Sequence, residues 1–136
     1  MTIDKVTLEI LKNHCRAAAE SMAYTLHRTA HSTFVKETED FTTGITTPDG
    51  ETFAAPVELG VTWFVGLNYK TVIEMVDEYE EGDICMTNDP YSGHVATHSP
   101  DMHCWKPVFH NGELICFVVG HIHNTDVGGA VPASIS

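Results

Sequence analysis

The stretch WKPVFHNGELICFVV, residues 105–119, is the strongest fold signal in this chain. Two apolar runs flank His110-Asn111-Gly112-Glu113, and an Asn-Gly pair tolerates the positive φ angles of a type I′ turn. The stretch therefore predicts a β-hairpin with strands at Trp105–Phe109 and Leu114–Val119. Because a hairpin returns the chain to its starting end, the residues just before and just after it are expected to lie close together.

Metal-ligating residue types flank the hairpin on both sides. His98 and Asp101 form an H-x-x-D pair in a Pro-containing loop, and His121 and His123 follow the second strand. Neutral imidazole and carboxylate bind divalent cations at neutral pH. The spacing predicts a divalent metal site held by His98, Asp101 and His123. His121 shares the strand face of His123 if the strand stays regular, so one of the two is expected to be a ligand and the other to support a ligand or face the substrate. His123 is chosen as the ligand.

Asp40 is a further candidate ligand, because it stands just before a second predicted hairpin. That hairpin has strands at Thr42–Thr47 and Glu51–Ala55, joined by Pro48-Asp49-Gly50. A solvated acidic turn is the alternative interpretation of Asp40. Two nitrogen and two oxygen ligands suit Zn²⁺ first, with Mn²⁺ or Fe²⁺ as alternatives. An open coordination position would serve carbonyl or amide chemistry, whereas a closed site would be structural.

Composition narrows the classes of function. The net charge of −12, with only seven Lys and Arg residues, argues against binding to nucleic acid or anionic membranes. No apolar run is long enough to cross a bilayer. Four cysteines without C-x-x-C spacing predict reduced thiols and a cytoplasmic protein, although distant cysteines can also converge on zinc. With nine histidines in 136 residues, some of them are expected to lie near one another by chance.

Two further patterns predict helices. Apolar residues recur every three or four positions between Asp4 and Thr29, with Thr2 or Asp4 as the cap. The apolar face of this first helix comprises Leu11, Cys15, Ala18, Met22 and Leu26. The second helix runs from about Thr62 to Gly82, with an apolar face of Val65, Tyr69, Val72, Val76 and Tyr79.

A short strand at Asp83–Thr87 completes the elements. The expected fold is α+β: a mixed or antiparallel sheet with hairpins, packed by two amphipathic helices, in one domain spanning residues 1–136.

Several separated motifs, in the right order, resemble the N-terminal part of the hydantoinase B family. They are Val6-Thr7-Leu8-Glu9, Glu37-Thr38-Glu39-Asp40-Phe41-Thr42, Asn88-Asp89-Pro90-Tyr91, His98-Ser99-Pro100-Asp101 and Asp126-Val127-Gly128-Gly129. This family includes N-methylhydantoinase and oxoprolinase-type hydrolases and subunits of acetone and acetophenone carboxylases. Because its members usually run to several hundred residues, the resemblance implies an incomplete, N-terminal portion of a hydantoinase B-like domain.

The resemblance also implies the ligand set, since family members hold a metal at the positions of Asp40, His98, Asp101 and His123. Two departures from the family pattern affect the site. A short insertion before His98 leaves His94 as a rival ligand, and Asn124 replaces a frequent histidine.

A very small subunit of this kind is similar to that of the acetophenone carboxylases. The resemblance therefore implies the metal-binding small subunit of a biotin-independent, ATP-dependent ketone carboxylase. The whole enzyme would convert acetophenone and bicarbonate to benzoylacetate, and the small subunit would be inactive alone. Larger hydantoinase A-like and hydantoinase B-like subunits would bind ATP and bicarbonate. The alternatives are a subunit of an ATP-dependent cyclic amide hydrolase, acting on a hydantoin, lactam or oxoproline, and a purely structural metal-binding module. No catalytic residue is assigned.

Overall fold

In the computed structural model, which describes residues 3–61, 66–93 and 95–134, five strands form one sheet and three α-helices accompany it. The elements are α1 (Lys5–Thr29), α2 (Thr33–Lys36), β1 (Phe41–Thr46), β2 (Thr52–Ala54), α3 (Lys70–Ile73), β3 (Cys85–Thr87), β4 (Asp101–His110) and β5 (Glu113–His123). The strand order is β2–β1–β5–β4–β3, and every neighbouring pair is antiparallel. The predicted α+β class is confirmed.

The β4–β5 hairpin is confirmed, and both of its strands are longer than the sequence predicted. Asn111 and Gly112 have φ angles of 52° and 80°, as a tight turn with two positive φ angles requires. At the far end of the hairpin, Asp101 pairs with His123 across the two strands. The extra length therefore brings both of these residues into the sheet.

The β1–β2 hairpin is also confirmed, and β1 lies beside β5 in the centre of the sheet. Phe41 pairs with Ile122 and Thr42 with His121. The start of β1 is thereby held against the end of β5. Asp40, which directly precedes β1, consequently reaches the same end of the sheet as His123.

The first helix forms as predicted, but it buries different residues. Asp4 caps it, with one carboxylate oxygen accepting from the backbone N–H groups of Val6 and Thr7 at 3.0 Å each. The residues that become fully buried are Ala19 and Ala23, whereas the predicted core residue Leu11 stays 48% exposed.

Close approach of the helix to the sheet explains this difference. The hydroxyl of Thr43 on β1 donates to the backbone carbonyl of Ala19 at 2.9 Å. Only small side chains fit where the backbone of α1 lies this near the sheet. Cys15, Met22 and Leu26 flank the contact and are half-buried, and Ala18 is exposed.

The long second helix predicted from about Thr62 to Gly82 is wrong. In residues 66–82, the part of this range that the structure describes, a single helical turn forms, Lys70–Ile73, and the chain then proceeds through turns to β3. An antiparallel bridge between Asn68 and Glu51 keeps the preceding backbone extended. Acidic residues crowd the following segment, where they would repel one another and oppose a helix dipole. Thr62, Val65, Thr2 and His94 lie outside the described residues.

The apolar residues assigned to that helix still enter the core. Tyr69 and Val72 are buried in the main apolar cluster, and Val76 and Tyr79 pack against it. The cluster also contains Trp105, Phe117 and Val119 from the inward face of the β4–β5 hairpin. Within the described residues, no helix has the combination of length and apolar character that a bilayer span requires.

Candidate metal centre

Three of the four predicted ligands meet at the end of the β4–β5 hairpin. His98, Asp101 and His123 each offer one ligand atom, and these atoms all lie within 4.8 Å of one another. Asp101 and His123 are buried, whereas His98 is half-buried and faces the outside. The imidazole rings of His98 and His123 are 4.9 Å apart between centroids. The arrangement offers two nitrogens and one oxygen to a cation that can approach from the side of His98.

Backbone and side-chain hydrogen bonds hold the loop that carries His98. The side-chain amide of Asn88 donates to the carbonyl of Ser99 at 3.0 Å. Asn124 donates to the carbonyl of Pro100 twice, from its backbone N–H at 2.8 Å and from its side chain at 3.0 Å. Asn124, which the sequence singled out as a departure from the family pattern, therefore joins the end of β5 to this loop.

Asp101 is the centre of the cluster because both of its oxygens are engaged. Oδ1 lies 3.0 Å from Nε2 of His121 and 3.4 Å from Nε2 of His98. Oδ2 accepts from the backbone N–H of Thr97 at 3.2 Å and also from the Thr97 hydroxyl. Burial alone would raise the pKa of this carboxyl group, but the hydrogen bonds from His121 and Thr97 outweigh burial and hold the pKa of Asp101 well below its usual range. Asp101 is therefore anionic at neutral pH, the state in which a carboxylate binds a cation.

Asp40 approaches the cluster through its backbone. Its carbonyl accepts from the N–H of His123 at 3.0 Å, which joins the residue before β1 to the last residue of β5. Within the described residues, the grouping of ligand atoms that contains His98, Asp101 and His123 does not include the Asp40 carboxylate. Asp40 thus lies next to the cluster in the chain fold, and its role as a fourth ligand stays a prediction.

The setting of His123 fits a bound cation. Phe34 of α2 stacks on the His123 ring at 4.4 Å between centroids, which fixes the plane of the imidazole. Its Nδ1 is buried and has no hydrogen-bond partner in the part of the chain that the structure describes. A buried, unsatisfied nitrogen costs about 1–3 kcal/mol, and a metal ion or a bound water would remove that penalty. The residues present therefore fit the metal that the motif spacing predicts.

A second polar group lies deeper in the hairpin. It contains His121, which the sequence already placed beside the ligands, and His103, to which the sequence assigned no role. His103 and His121 are opposite each other on β4 and β5, with ring centroids 4.7 Å apart. His103 Nδ1 lies 3.0 Å from the hydroxyl of Tyr69. Burial, reinforced by the charge of His121 and opposed by Asp101, lowers the pKa of His103 to about 4. His103 is therefore neutral at physiological pH.

Strand alternation is the signal that could have identified His103. Buried and half-buried residues alternate along β4, so Asp101, His103 and Trp105 share the inward face. A histidine at an inward position of a strand requires a polar partner. The sequence does not reveal that the partner is Tyr69, because the helix expected there would have placed Tyr69 in a different setting.

The four cysteines are free thiols, and all of them are half-buried. None of them belongs to the two candidate metal-binding groups found among the described residues. Burial raises the pKa of the Cys104 thiol above its ordinary value. The zinc alternative that distant cysteines left open gains no support from this part of the chain.

Comparison with known proteins extends over nearly the whole chain. The chain is similar to the uncharacterized protein MJ0963 of Methanocaldococcus jannaschii, with 35% identity over 98% of this chain and 24% of the relative. The crystal structure of an ATP-dependent caprolactamase from Pseudomonas jessenii matches with a TM-score of 0.78 and 30% identity, covering 98% of this chain and 23% of that one. The nucleotide-free structure of an acetone carboxylase matches with a TM-score of 0.74 and 25% identity, covering 90% and 17%.

The matched region is a small part of each relative. This chain spans 24% of the length of MJ0963 and 10% of a 5-oxoprolinase from Dictyostelium discoideum. The family model described as hydantoinase B/oxoprolinase matches residues 4–136. The fold and the order of motifs agree with that match, and the chain belongs to the hydantoinase B/oxoprolinase family.

Proposed function

We propose that this chain holds a divalent metal ion for a multi-subunit, ATP-dependent enzyme that acts on a carbonyl compound. The observation that carries the proposal is the convergence of His98, Asp101 and His123, whose ligand atoms lie within 4.8 Å of one another. Asp40 is the proposed fourth ligand, since its backbone already contacts His123. The anionic state of Asp101 and the unsatisfied Nδ1 of His123 both favour a cation at this position.

Zn²⁺ is the proposed ion, with Mn²⁺ and Fe²⁺ as the alternatives that a mixed nitrogen and oxygen ligand set admits. When bound, such an ion would polarise a carbonyl oxygen or lower the pKa of a bound water. The protein's own contribution is to hold the ligands rigidly, through Thr97 on Asp101 and Phe34 on His123. The half-exposed His98 leaves one side accessible, which favours a site open to substrate over a purely structural one.

The proposed reaction is carboxylation of a ketone, with acetophenone and bicarbonate giving benzoylacetate. The similarity to an enzyme of ATP-dependent acetone carboxylation supports a ketone substrate. The sequence contains no G-x-x-x-x-G-K-[ST] motif, so ATP and bicarbonate are assigned to larger hydantoinase A-like and hydantoinase B-like partner subunits. This chain would be inactive without them.

Metal content tests the ligand assignment. The protein, purified in complex with its partner subunits, is assayed for metal by mass spectrometry, alongside variants His98→Ala and Asp101→Ala. We expect both variants to lose the bound metal. His110→Ala is the matched control, because His110 is exposed in the turn at the opposite end of the same hairpin. Unchanged metal content in both ligand variants would refute the site.

Opening of a cyclic amide is the second candidate reaction. The caprolactamase match supports it, with a TM-score of 0.78 over 98% of this chain, against 0.74 over 90% for the acetone carboxylase. Both substrates carry a carbonyl group and both reactions use ATP, so an ion that polarises a carbonyl oxygen at this site would serve either.

Labelled bicarbonate separates the two reactions. The assembled enzyme is incubated with ATP, ¹⁴C-bicarbonate and either acetophenone or a lactam. Carboxylation transfers the label into an acidic product, whereas amide opening yields an unlabelled amino acid. Lactam opening without any incorporation of label would replace the ketone proposal with the amide one.

A further inference from the structure

A line of buried polar side chains runs from the candidate metal centre into the core. Tyr69, His103 and His121 are 1%, 0% and 1% exposed, respectively. The Tyr69 hydroxyl lies 3.0 Å from His103 Nδ1, and His121 Nε2 lies 3.0 Å from Asp101 Oδ1. The line therefore ends on a proposed ligand oxygen.

The pairing of β4 with β5 explains how His121 reaches Asp101. Asp101 is directly opposite His123, and His103 is directly opposite His121. The contact between His121 and Asp101 is thus a diagonal one on the same face of the hairpin, within reach of a long side chain. It joins the pair of residues at the metal centre to the pair behind it.

The hydrogen bonds on Asp101 determine which oxygen can bind a cation. Thr97 engages Oδ2 with two donors, so that oxygen is already used. Oδ1 receives the His121 N–H and faces His98 Nε2 at 3.4 Å. Because a carboxylate oxygen accepts hydrogen bonds, the 3.0 Å contact has the N–H donor on Nε2 of His121. The carboxylate plane is therefore held from both sides, with Oδ1 directed toward His98.

Stability of the fold does not account for these polar residues. The neighbouring inward positions on the same two strands are the apolar residues Trp105, Phe117 and Val119. Replacing a buried polar or charged network by well-packed apolar side chains is often neutral or stabilising. A role at the adjacent site is the simpler reason for two histidines at these positions.

We propose that His121 is a positioning residue for the metal site: its hydrogen bond orients Asp101 so that Oδ1 faces the cation, and the Tyr69–His103 pair fixes the His121 ring from behind. This inference rests on the proposed metal-binding function. It assigns no ligand role to His121. Groups that hold a metal ligand in place through hydrogen bonds commonly change metal affinity when they are removed.

The inner histidines are also compatible with a different role. Asp101, His103 and His121 form a second group whose ligand atoms lie within 4.8 Å of one another. Metal stoichiometry distinguishes the two roles: positioning predicts one ion per chain, and an inner site predicts two.

The test measures Zn²⁺ affinity of the full chain, purified with its partner subunits, by competition with a chromophoric chelator. His121→Met removes the donor at similar volume, and we expect affinity to fall about 10–100-fold. His121→Gln keeps an N–H at the position of Nε2, and we expect it to restore most of that affinity. The absorption bands of the Co²⁺-substituted protein should shift in His121→Met and return in His121→Gln.

Tyr69→Phe is the variant that separates positioning from folding, because it removes only the hydroxyl and keeps the ring in the core. We expect a smaller loss of Zn²⁺ affinity and a somewhat lower urea midpoint, because His103 loses a buried hydrogen bond, with the unfolding transition still cooperative. This variant decides the matter if His121→Met does not fold. Wild-type affinity in both His121→Met and Tyr69→Phe would overturn the inference, as would two Zn²⁺ per wild-type chain with one lost in His121→Met. Absence of Zn²⁺ binding by the wild type would instead overturn the proposed function, and this inference with it.

Discussion

The inward face of the β4–β5 hairpin has two halves of opposite character. Near the turn it is apolar, with Trp105, Phe117 and Val119 in the main core. Toward the other end it is polar, with buried residues Asp101, His103, His121 and His123. The same two strands supply both halves, in one register from Asp101 to Val108. The first half holds the sheet to the rest of the chain, and the second half displays chemistry on that rigid support.

The difference shows how a small fold can support a charged site. A buried carboxylate and several imidazoles are destabilising unless hydrogen bonds satisfy them. Here the backbone hydrogen bonds between β4 and β5 continue from the apolar half through the polar half. They hold the polar side chains in position where apolar packing contributes little. The two halves should therefore respond to different perturbations, one in stability and the other in ligand binding.

Phe117→Ala should give the largest effect and tests the apolar half. Phe117 is fully buried and meets Tyr79 edge-on at 4.9 Å between ring centroids. Truncation should lower the free energy of unfolding by about 3–5 kcal/mol, measured by urea denaturation. Phe53→Ala is the control, because Phe53 is 52% exposed and should change stability little. A loss below about 1 kcal/mol would mean that this half does not anchor the sheet.

Zn²⁺ addition should stabilise the protein through the polar half. At a free concentration about 100 times the dissociation constant, the free energy of unfolding should rise by about 2.7 kcal/mol. Asp101→Asn should abolish the increase, since it removes the anionic ligand. Phe117→Ala should retain the increase if the two halves act independently. Equal stabilisation of wild type and Asp101→Asn would show that the ion binds elsewhere.

Tyr79→Phe tests the one polar link that the structure describes between Trp105 and its core neighbours. The Trp105 indole N–H donates to the Tyr79 hydroxyl at 2.9 Å, and that hydroxyl donates to the carbonyl of Ile73 at 2.9 Å. Loss of both bonds should destabilise the protein by about 1–2 kcal/mol without altering Zn²⁺ affinity. Thermal melts and the chelator competition measure the two quantities. Weaker Zn²⁺ binding in this variant would reveal coupling between the halves.

Gly112→Ala should have the smallest effect and should act on the hairpin as a whole. An added Cβ would meet no atom within 4 Å, so the penalty comes from the positive φ of 80° alone. We expect about 1 kcal/mol of destabilisation. Glu113→Ala, next to the turn and exposed, is the matched control. An unchanged melting temperature would indicate that the turn relaxes into another geometry.

Local sequence signals predicted the elements whose formation depends on neighbouring residues. Asp4 marked the start of α1, and Asn111-Gly112 marked the turn between β4 and β5. The second helix failed because a tertiary bridge at Asn68 and a short path to β3 outweigh the apolar periodicity around Tyr69. The spacing of apolar residues alone cannot distinguish a buried helix from a buried irregular segment when the same side chains enter the core.

The candidate site was partly predictable for the same reason. His98, Asp101 and His123 are adjacent to the hairpin, so knowledge of the turn was enough to bring them together. His103 and Tyr69 meet only through packing of a distant segment on β4, and no spacing rule connects them. The position of Asp40 before a predicted hairpin made it a candidate ligand, and the family resemblance implied the same role. The structure adds a backbone contact between Asp40 and His123.

The position of β1 between β2 and β5 has a consequence for the order of folding. The β4–β5 pairing is local, whereas β1 must join β5 from much earlier in the chain, as in the pairing of Thr42 with His121. Contacts that close long loops carry a larger entropic penalty, so the hairpin is expected to form before β1 docks. The cluster of His98, Asp101 and His123 would then form early, together with the hairpin. Asp40 would join it late, when β1 docks on β5.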